Sequence, residues 1–291
     1  MRKIEIIFKA KKKYAVLTLA GACAALAGLI TAAAGYRRNT GGKITEEDFL
    51  VFTGFFLTII GMLLLVSGLM RLLSRKPPVK YSSAERTKRL AFSALFMALA
   101  YIGFQYFRFD LTVAGEKTAF HLGNTFVVLA ALLLGGTWGG IAGAAGLTIA
   151  DFSSGYVTSA PKTLFLKLCI GLIVGFVAHT ICHLSRAHGA KKILHITIAA
   201  SVCGLAFNIV ADPLVGYFYK KYLFGLPQDI ASTLAKLSSL TTGINAALSA
   251  LLSVVLYITL RPALEKSDLF FRLEKDPYPC HAPENKPQKG D

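Results

Sequence analysis

The sequence predicts an all-α membrane protein, a six-helix bundle preceded by an additional two-helix transmembrane hairpin. Three observations carry this. The 291 residues are 54% hydrophobic and only 16% charged, with a mean hydropathy of +0.54, whereas soluble domains carry about 25% charged residues. Several apolar runs are long enough to cross roughly 30 Å of hydrocarbon. The basic residues are also unevenly distributed between alternate connecting segments.

Residues 14–36 and 49–70 supply the first two spans and have no polar residue deep in either. They read as an anchor or accessory hairpin, forming a unit over residues 1–75. A basic, proline-containing linker follows at 76–83. The main block occupies 84–264, beginning with the uncharged run 90–107. The uncharged run 118–150 is too long for one helix and breaks at Gly135-Gly136-Thr137-Trp138-Gly139-Gly140, predicting a tight hairpin of two short spans. Stretches 163–184, 196–218 and 237–260 complete eight helices. The tail, 265–291, is polar and proline-rich and reads as disordered. Strands are not expected, because the apolar runs are continuous rather than alternating. The external loop 107–120 is apolar enough to fold back as a lid.

A net charge of +16 raises the question of nucleic acid. Placement answers it. With the N-terminus inside, the cytoplasmic segments carry 22 Lys and Arg and the external loops 9, leaving Lys167 within a helix. That is the positive-inside pattern, so both termini are assigned to the cytoplasm of a cell-membrane, multi-pass protein, with no nucleic-acid partner. Cys23, Cys169, Cys182, Cys203 and Cys280 form no C-x-x-C pair and read as small apolar residues.

No phosphate loop, H-E-x-x-H or G-x-S-x-G is present, so neither ATP hydrolysis by that loop nor enzymatic activity is expected, and no cofactor or metal is called for. His179, Cys182 and His183 share a helical face at the inner end of the fourth helix of the main block and read as interfacial side chains. The informative residues are polar groups that the topology places in the outer half of the bilayer: His121, Asn124, Asp151, Lys162, Lys167, Asn208, Asp212 and Asn245. Such groups are costly in hydrocarbon and usually face a cavity or a partner. His121 and Asn124, three apart, are expected on one helical face, and Lys167 needs a counter-charge, for which Asp151 is the candidate. Structural roles are open as well: Asp151 could cap a turn, Lys162 could snorkel, and Asp212, just before Pro213, could end the regular helix. The substrate-binding set is therefore His121, Asn124, Asp151, Lys162, Lys167, Asn208 and Asn245. Aromatics on the same side, including Tyr106, Phe120 and Tyr156, would suit a flat heterocycle.

The stretch from His121-Leu-Gly-Asn124 to Gly135-Gly136, then Ala150-Asp151-Phe-Ser-Ser-Gly155-Tyr156 and Ala160-Pro161-x-Thr163-x-x-x-Lys167, resembles the substrate-binding (S) components of energy-coupling factor (ECF) vitamin transporters. The riboflavin and hydroxymethylpyrimidine branch is the most similar. The resemblance covers about residues 84–264 and implies a six-helix fold with cytoplasmic termini. It also implies a small-molecule vitamin or precursor as cargo, and as partners a transmembrane coupling subunit and two cytoplasmic ATPases. Ala94-x-x-x-Ala98 matches the alanine motif by which such proteins contact the coupling subunit. The chain departs from the pattern where Asn-Leu-Gly-Asp is expected and His121-Leu-Gly-Asn124 stands, and in its two-helix N-terminal extension. The alternative reading is a stand-alone proton-coupled carrier or channel using Asp151 or Asp212. A membrane enzyme with His121 as base is a third.

Overall fold

The structure, a computed structural model, describes residues 2–38, 49–73, 82–113, 116–271 and 273. Its elements are α1 (Arg2–Arg38), α2 (Phe49–Leu73), α3 (Ser83–Gln105), β1 (Arg108–Val113), β2 (Glu116–His121), α4 (Gly123–Leu134), α5 (Gly136–Ser153), α6 (Ala160–Gly175), α7 (Ala190–Phe218) and α8 (Gln228–Lys266). Among the described residues, five helical segments are long and apolar enough to cross a bilayer: Lys12–Gly35, Ser83–Gln105, Val157–Ile181, Ala190–Leu223 and Gln228–Lys266. This is an all-α membrane architecture with one small sheet.

In α1 and α2 the packing follows from glycine spacing that the sequence reading passed over. Gly21, Gly28 and Gly35 recur every seven residues on α1, as do Gly54, Gly61 and Gly68 on α2. A β-carbon placed at Gly61 would sit 2.2 Å from the Ala25 nitrogen, and one at Gly54 would sit 2.3 Å from the Ala32 nitrogen. Only glycine lets the two backbones come this close, and close approach is what drives helix association in lipid. Thr18, Thr31 and Thr58 each donate 2.8 Å hydrogen bonds to the carbonyl four residues back, so none of these hydroxyls is left unpaired. The pair packs on the main bundle through Phe56, stacked 5.8 Å from Phe152, and through Ile59 and Met62 against Leu164 and Leu168.

At the bundle centre lies α4. Of its twelve residues all but Phe126 are buried, as expected of a helix that is apolar on every side. The predicted break between two short spans is present and is sharper than the glycine run suggested. α4 ends at Leu134 and α5 begins at Gly136, so the turn is Gly135 alone, at φ 87°. That angle is one that L side chains rarely adopt. The following glycines let α6 close on the hairpin, since a β-carbon at Gly175 would lie 2.1 Å from the Gly136 nitrogen.

One expectation needs correction. Strands do form, in the connection between α3 and α4. β1 and β2 pair antiparallel, with Phe109 opposite Phe120, Asp110 opposite Ala119 and Leu111 opposite Thr118. The signal is the alternation of polar Arg108, Asp110 and Thr112 with apolar Phe109, Leu111 and Val113, the period-two pattern of a strand. α7 reaches the expected end at Phe218 by running through Pro213, which leaves the carbonyl one turn earlier without its usual donor.

The bundle end that holds the α4–α5 turn, opposite the β-strands, is closed by two buried arginines. Arg89, 2% exposed, pairs with Glu85 and donates to the Leu134 carbonyl at the end of α4. Arg261 donates to the carbonyls of Leu184 and Ala187 and to Glu265. Chain drawn as tail from residue 265 begins here as structure. α8 continues to Lys266, and Phe271 then packs edge-on against Phe92 while Lys88 donates to the Asp268 carbonyl at 2.7 Å. The linker residues 76–81 and the tail from 274 lie outside the described residues.

The glycine interface predicts that Gly61→Leu separates α1 from α2, costing on the order of 1–3 kcal/mol as an overpacked core does. Thermal unfolding in detergent should show the loss. Gly243→Leu should leave the midpoint unchanged, since nothing lies within 4 Å of a β-carbon there.

Candidate functional site

The polar groups converge where the helix ends meet the β-hairpin. Asn124 sits in the first turn of α4 and Asp151 in the last turn of α5. Lys162 and Lys167 stand on α6, Asp212 on α7 and Asn245 on α8. These residues line one cavity with His121, Phe104 and Tyr156. It contains about 910 Å³ of space not filled by atoms, part of it open to solvent.

Asn124 and Asp151 are 1% and 4% exposed, and Asn124 Oδ1 and Asp151 Oδ2 have no hydrogen-bond partner. Buried polar atoms are almost always paired, so each exception asks for a missing partner. Thr163 hydrogen-bonds the Asp151 carboxyl group, and the Asp151 carbonyl accepts the Tyr156 amide at 2.9 Å. This turn places Tyr156 on the cavity wall.

Lys162 Nζ lies 3.1 Å from Asp212 Oδ1. The second oxygen of Asp212 accepts from Thr242 at 3.0 Å and from Ser238. Asp212 is thereby saturated and ties α6, α7 and α8 into one knot. The pairing differs from the one expected. Lys167, 8% exposed, makes no contact ion pair among the described residues, with Asp151 or otherwise.

His121 is not on a helical face with Asn124. It ends β2, and its Nδ1 accepts the Gly123 amide at 3.1 Å, capping the start of α4. A ring nitrogen that accepts carries no proton, so this bond holds the imidazole in the form protonated at Nε2. The ring packs 4.7 Å from Phe104. Asn245 is used differently from the expectation as well. Its Oδ1 accepts the His121 amide at 2.9 Å and its Nδ2 donates to the Ala119 carbonyl at 2.9 Å, so both ends of the amide hold β2. Thr241 and Thr118 add a 3.1 Å rung.

Asn208 does not reach the cavity lining. It is fully buried, and neither end of its amide has a partner; Ser201 on α7 and Ser249 on α8 have unpartnered hydroxyls as well. Ala94 and Ala98 are both exposed on the outer surface of α3, beside exposed Leu90 and Leu95. The sequence reading missed Phe104, Thr118, Thr163, Ser238, Thr241 and Thr242, which line the cavity. Hydroxyls satisfied within helices are common, so composition alone does not mark them. Among the described residues no group of three His, Cys, Asp or Glu side chains is placed to hold a metal. His179 Nε2 instead lies 3.1 Å from the Leu132 carbonyl at the end of α4.

A membrane bundle with a partly open polar cavity beneath a small β-hairpin has the form of a small-molecule binding subunit. A family model described as the S component of ECF-type riboflavin transporters matches residues 84–262. The match spans more than half of the chain, which belongs to this family. The chain is thus a substrate-binding subunit of the ECF transporter class, and its family role is binding rather than catalysis. No curated protein and no solved structure matches it.

Removing one member of a fully buried ion pair strands the other charge at about 3–5 kcal/mol, and the cost is smaller here because each side chain is 13% exposed. Lys162→Met should therefore destabilise the protein in thermal unfolding, and adding Asp212→Leu should restore much of the loss.

Proposed function

We propose that this protein captures a small, planar vitamin or vitamin precursor outside the cell and delivers it through an energy-coupling module of one transmembrane coupling subunit and two cytoplasmic ATPases. The carrying observation is the pair of buried, unpartnered oxygens on Asn124 and Asp151 facing one cavity with Lys167. Two acceptors at the ends of α4 and α5 and an ammonium group midway along α6 suit a heterocycle whose edge mixes donors and acceptors, with Phe104 and Tyr156 as its aromatic walls. Riboflavin, from the description of the family, is the first cargo to test.

In this reading His121, Asn124, Asp151 and Lys167 contact cargo. Lys162 acts through its pair with Asp212, Asn245 acts by holding the lid, and Asn208 supports the cavity from beneath. The hairpin end faces outward, in agreement with the distribution of basic residues, and both termini lie in the cytoplasm. Ala94 and Ala98 offer the coupling subunit a surface of small side chains that a partner helix can approach closely. Among the described residues, α1 and α2 pack on α5 and α6 rather than over this surface.

The test is quenching of riboflavin fluorescence on titration with purified protein. Saturable one-to-one binding is expected, and Asn124→Leu or Asp151→Leu should weaken it at least tenfold, or about 1.4 kcal/mol. Absence of binding for riboflavin and for pyrimidine and pyridine vitamins alike would remove the reading. Ala94→Trp should abolish ATP-driven uptake into vesicles while sparing binding. Equal loss of both would show that the alanines only pack this chain's own helices. Uptake by the chain alone, driven by a proton gradient, would favour a stand-alone carrier.

A further inference from the structure

We propose that a second cavity, at the inner ends of α7 and α8, binds the headgroup of an anionic phospholipid of the inner leaflet. The inference rests on the orientation given above, with this end at the cytoplasmic surface, and it involves no cargo.

The cavity lies where the connection from α6 to α7 meets the end of α8. It contains about 1380 Å³ of space not filled by atoms, part of it open to solvent. Arg186 and His188 line it from the connection, and Arg261, Glu265 and Asp268 from α8 and the chain after it. Buried Arg261 holds this wall in place. It donates to the carbonyls of Leu184 and Ala187 at 3.0 and 3.1 Å, on either side of Arg186 in the chain. Its Nε lies 2.7 Å from Glu265, so these two charges offset each other. What is left is Arg186, His188 and the exposed Lys191, Lys192 and Lys266 against the carboxylate of Asp268. α7 also starts here without a side-chain cap or an acidic residue in its first turn, and its amides add to the same field.

A guanidinium group matches the oxygens of a phosphate diester, and basic pockets between membrane helices at the cytoplasmic side take anionic headgroups. The rest of the wall favours a lipid over a soluble anion. Ile193 and Phe270 give the cavity an apolar side. Next to Ile193 on α7, Leu194 and Ile198 are exposed, as is Ile258 on α8, so acyl chains have apolar helix surface to follow into the bilayer. The approach is unobstructed at Gly189, where an added β-carbon would meet nothing within 4 Å. A headgroup seated here would bridge the α6–α7 connection to the end of α8, beside the contacts that Arg261 already makes between them.

Native mass spectrometry of the full chain, released from micelles holding equal phosphatidylglycerol and phosphatidylcholine, tests the site. Both lipids carry a phosphate diester, so the comparison reads the net charge of the headgroup. One phosphatidylglycerol should be retained in preference to phosphatidylcholine. Arg186→Gln should cut that retention about fivefold, as expected for one basic contact to a headgroup. Phosphatidylcholine retention and the lipid-free thermal midpoint should not move. If the arginine variant fails to fold, His188→Gln, at an exposed side chain, should cut retention in the same direction. Lys12→Gln with Lys13→Gln, exposed on α1, should leave it unchanged. Equal retention of the two lipids overturns the proposal, as does an undiminished preference in the Arg186 and His188 variants. An equal loss in the α1 variant would show that only overall charge counts, and overturns it too. Glycerol 3-phosphate raising the thermal midpoint as much as phosphatidylglycerol would make the ligand a free phosphate and overturn the lipid. None of these measurements uses riboflavin, so failure of the cargo reading and failure of the lipid site are told apart.

Discussion

The cost of placing hydrogen-bonding groups in hydrocarbon governs this structure. A charged side chain at the centre of a membrane helix costs roughly 2.5–3.5 kcal/mol on insertion scales, and an unpaired amide or hydroxyl is penalised in the same direction. The protein meets that cost in three ways. The threonines of α1 and α2 turn back on their own helices. Asp212 gathers Lys162, Ser238 and Thr242 around itself. Asn245 gives its amide to the lid. Asn124 Oδ1 and Asp151 Oδ2 are the exceptions that line the cavity, and they give it chemical character.

Rigidity and mobility are divided along the same lines. Glycine-mediated contact between α5 and α6 and the wholly buried α4 build a core with little freedom to adjust, as expected of interiors packed to crystal density. The β-hairpin instead sits at the rim, held through side chains. The cavity-lining groups Asn124, Asp151 and Lys167 stand on this core beneath the β-hairpin. A pocket whose groups are already in place keeps the ordering cost of binding low.

Much of this was legible in the sequence, because length and apolarity decide membrane spans almost alone. The break at Gly135, the eight helices and the convergence of His121, Asn124, Asp151, Lys162, Lys167 and Asn245 all follow from runs, breaks and depth. What was not legible depends on direction rather than depth. Asn208 lies only one helical turn from Asp212, yet the cavity is lined by Asp212 and not by Asn208. The pairing of Lys162 with Asp212, and not Lys167 with Asp151, is a matter of side-chain reach between helices, which linear spacing does not encode. The strand alternation in Arg108–Val113 was present but short, and strands were set aside on the continuous apolarity of the long runs, which says nothing about the connection between them. The glycine heptads of α1 and α2 were equally visible; only the contact between the two helices gives them meaning.

The account turns on where cargo sits. An experimental density map of the protein with bound cargo is the most direct measurement. The account predicts density within the cavity, its polar edge in hydrogen-bonding reach of Asn124 Oδ1 and Asp151 Oδ2 and its flat face against Phe104 or Tyr156. Density elsewhere, with those two oxygens still unpaired, would contradict it.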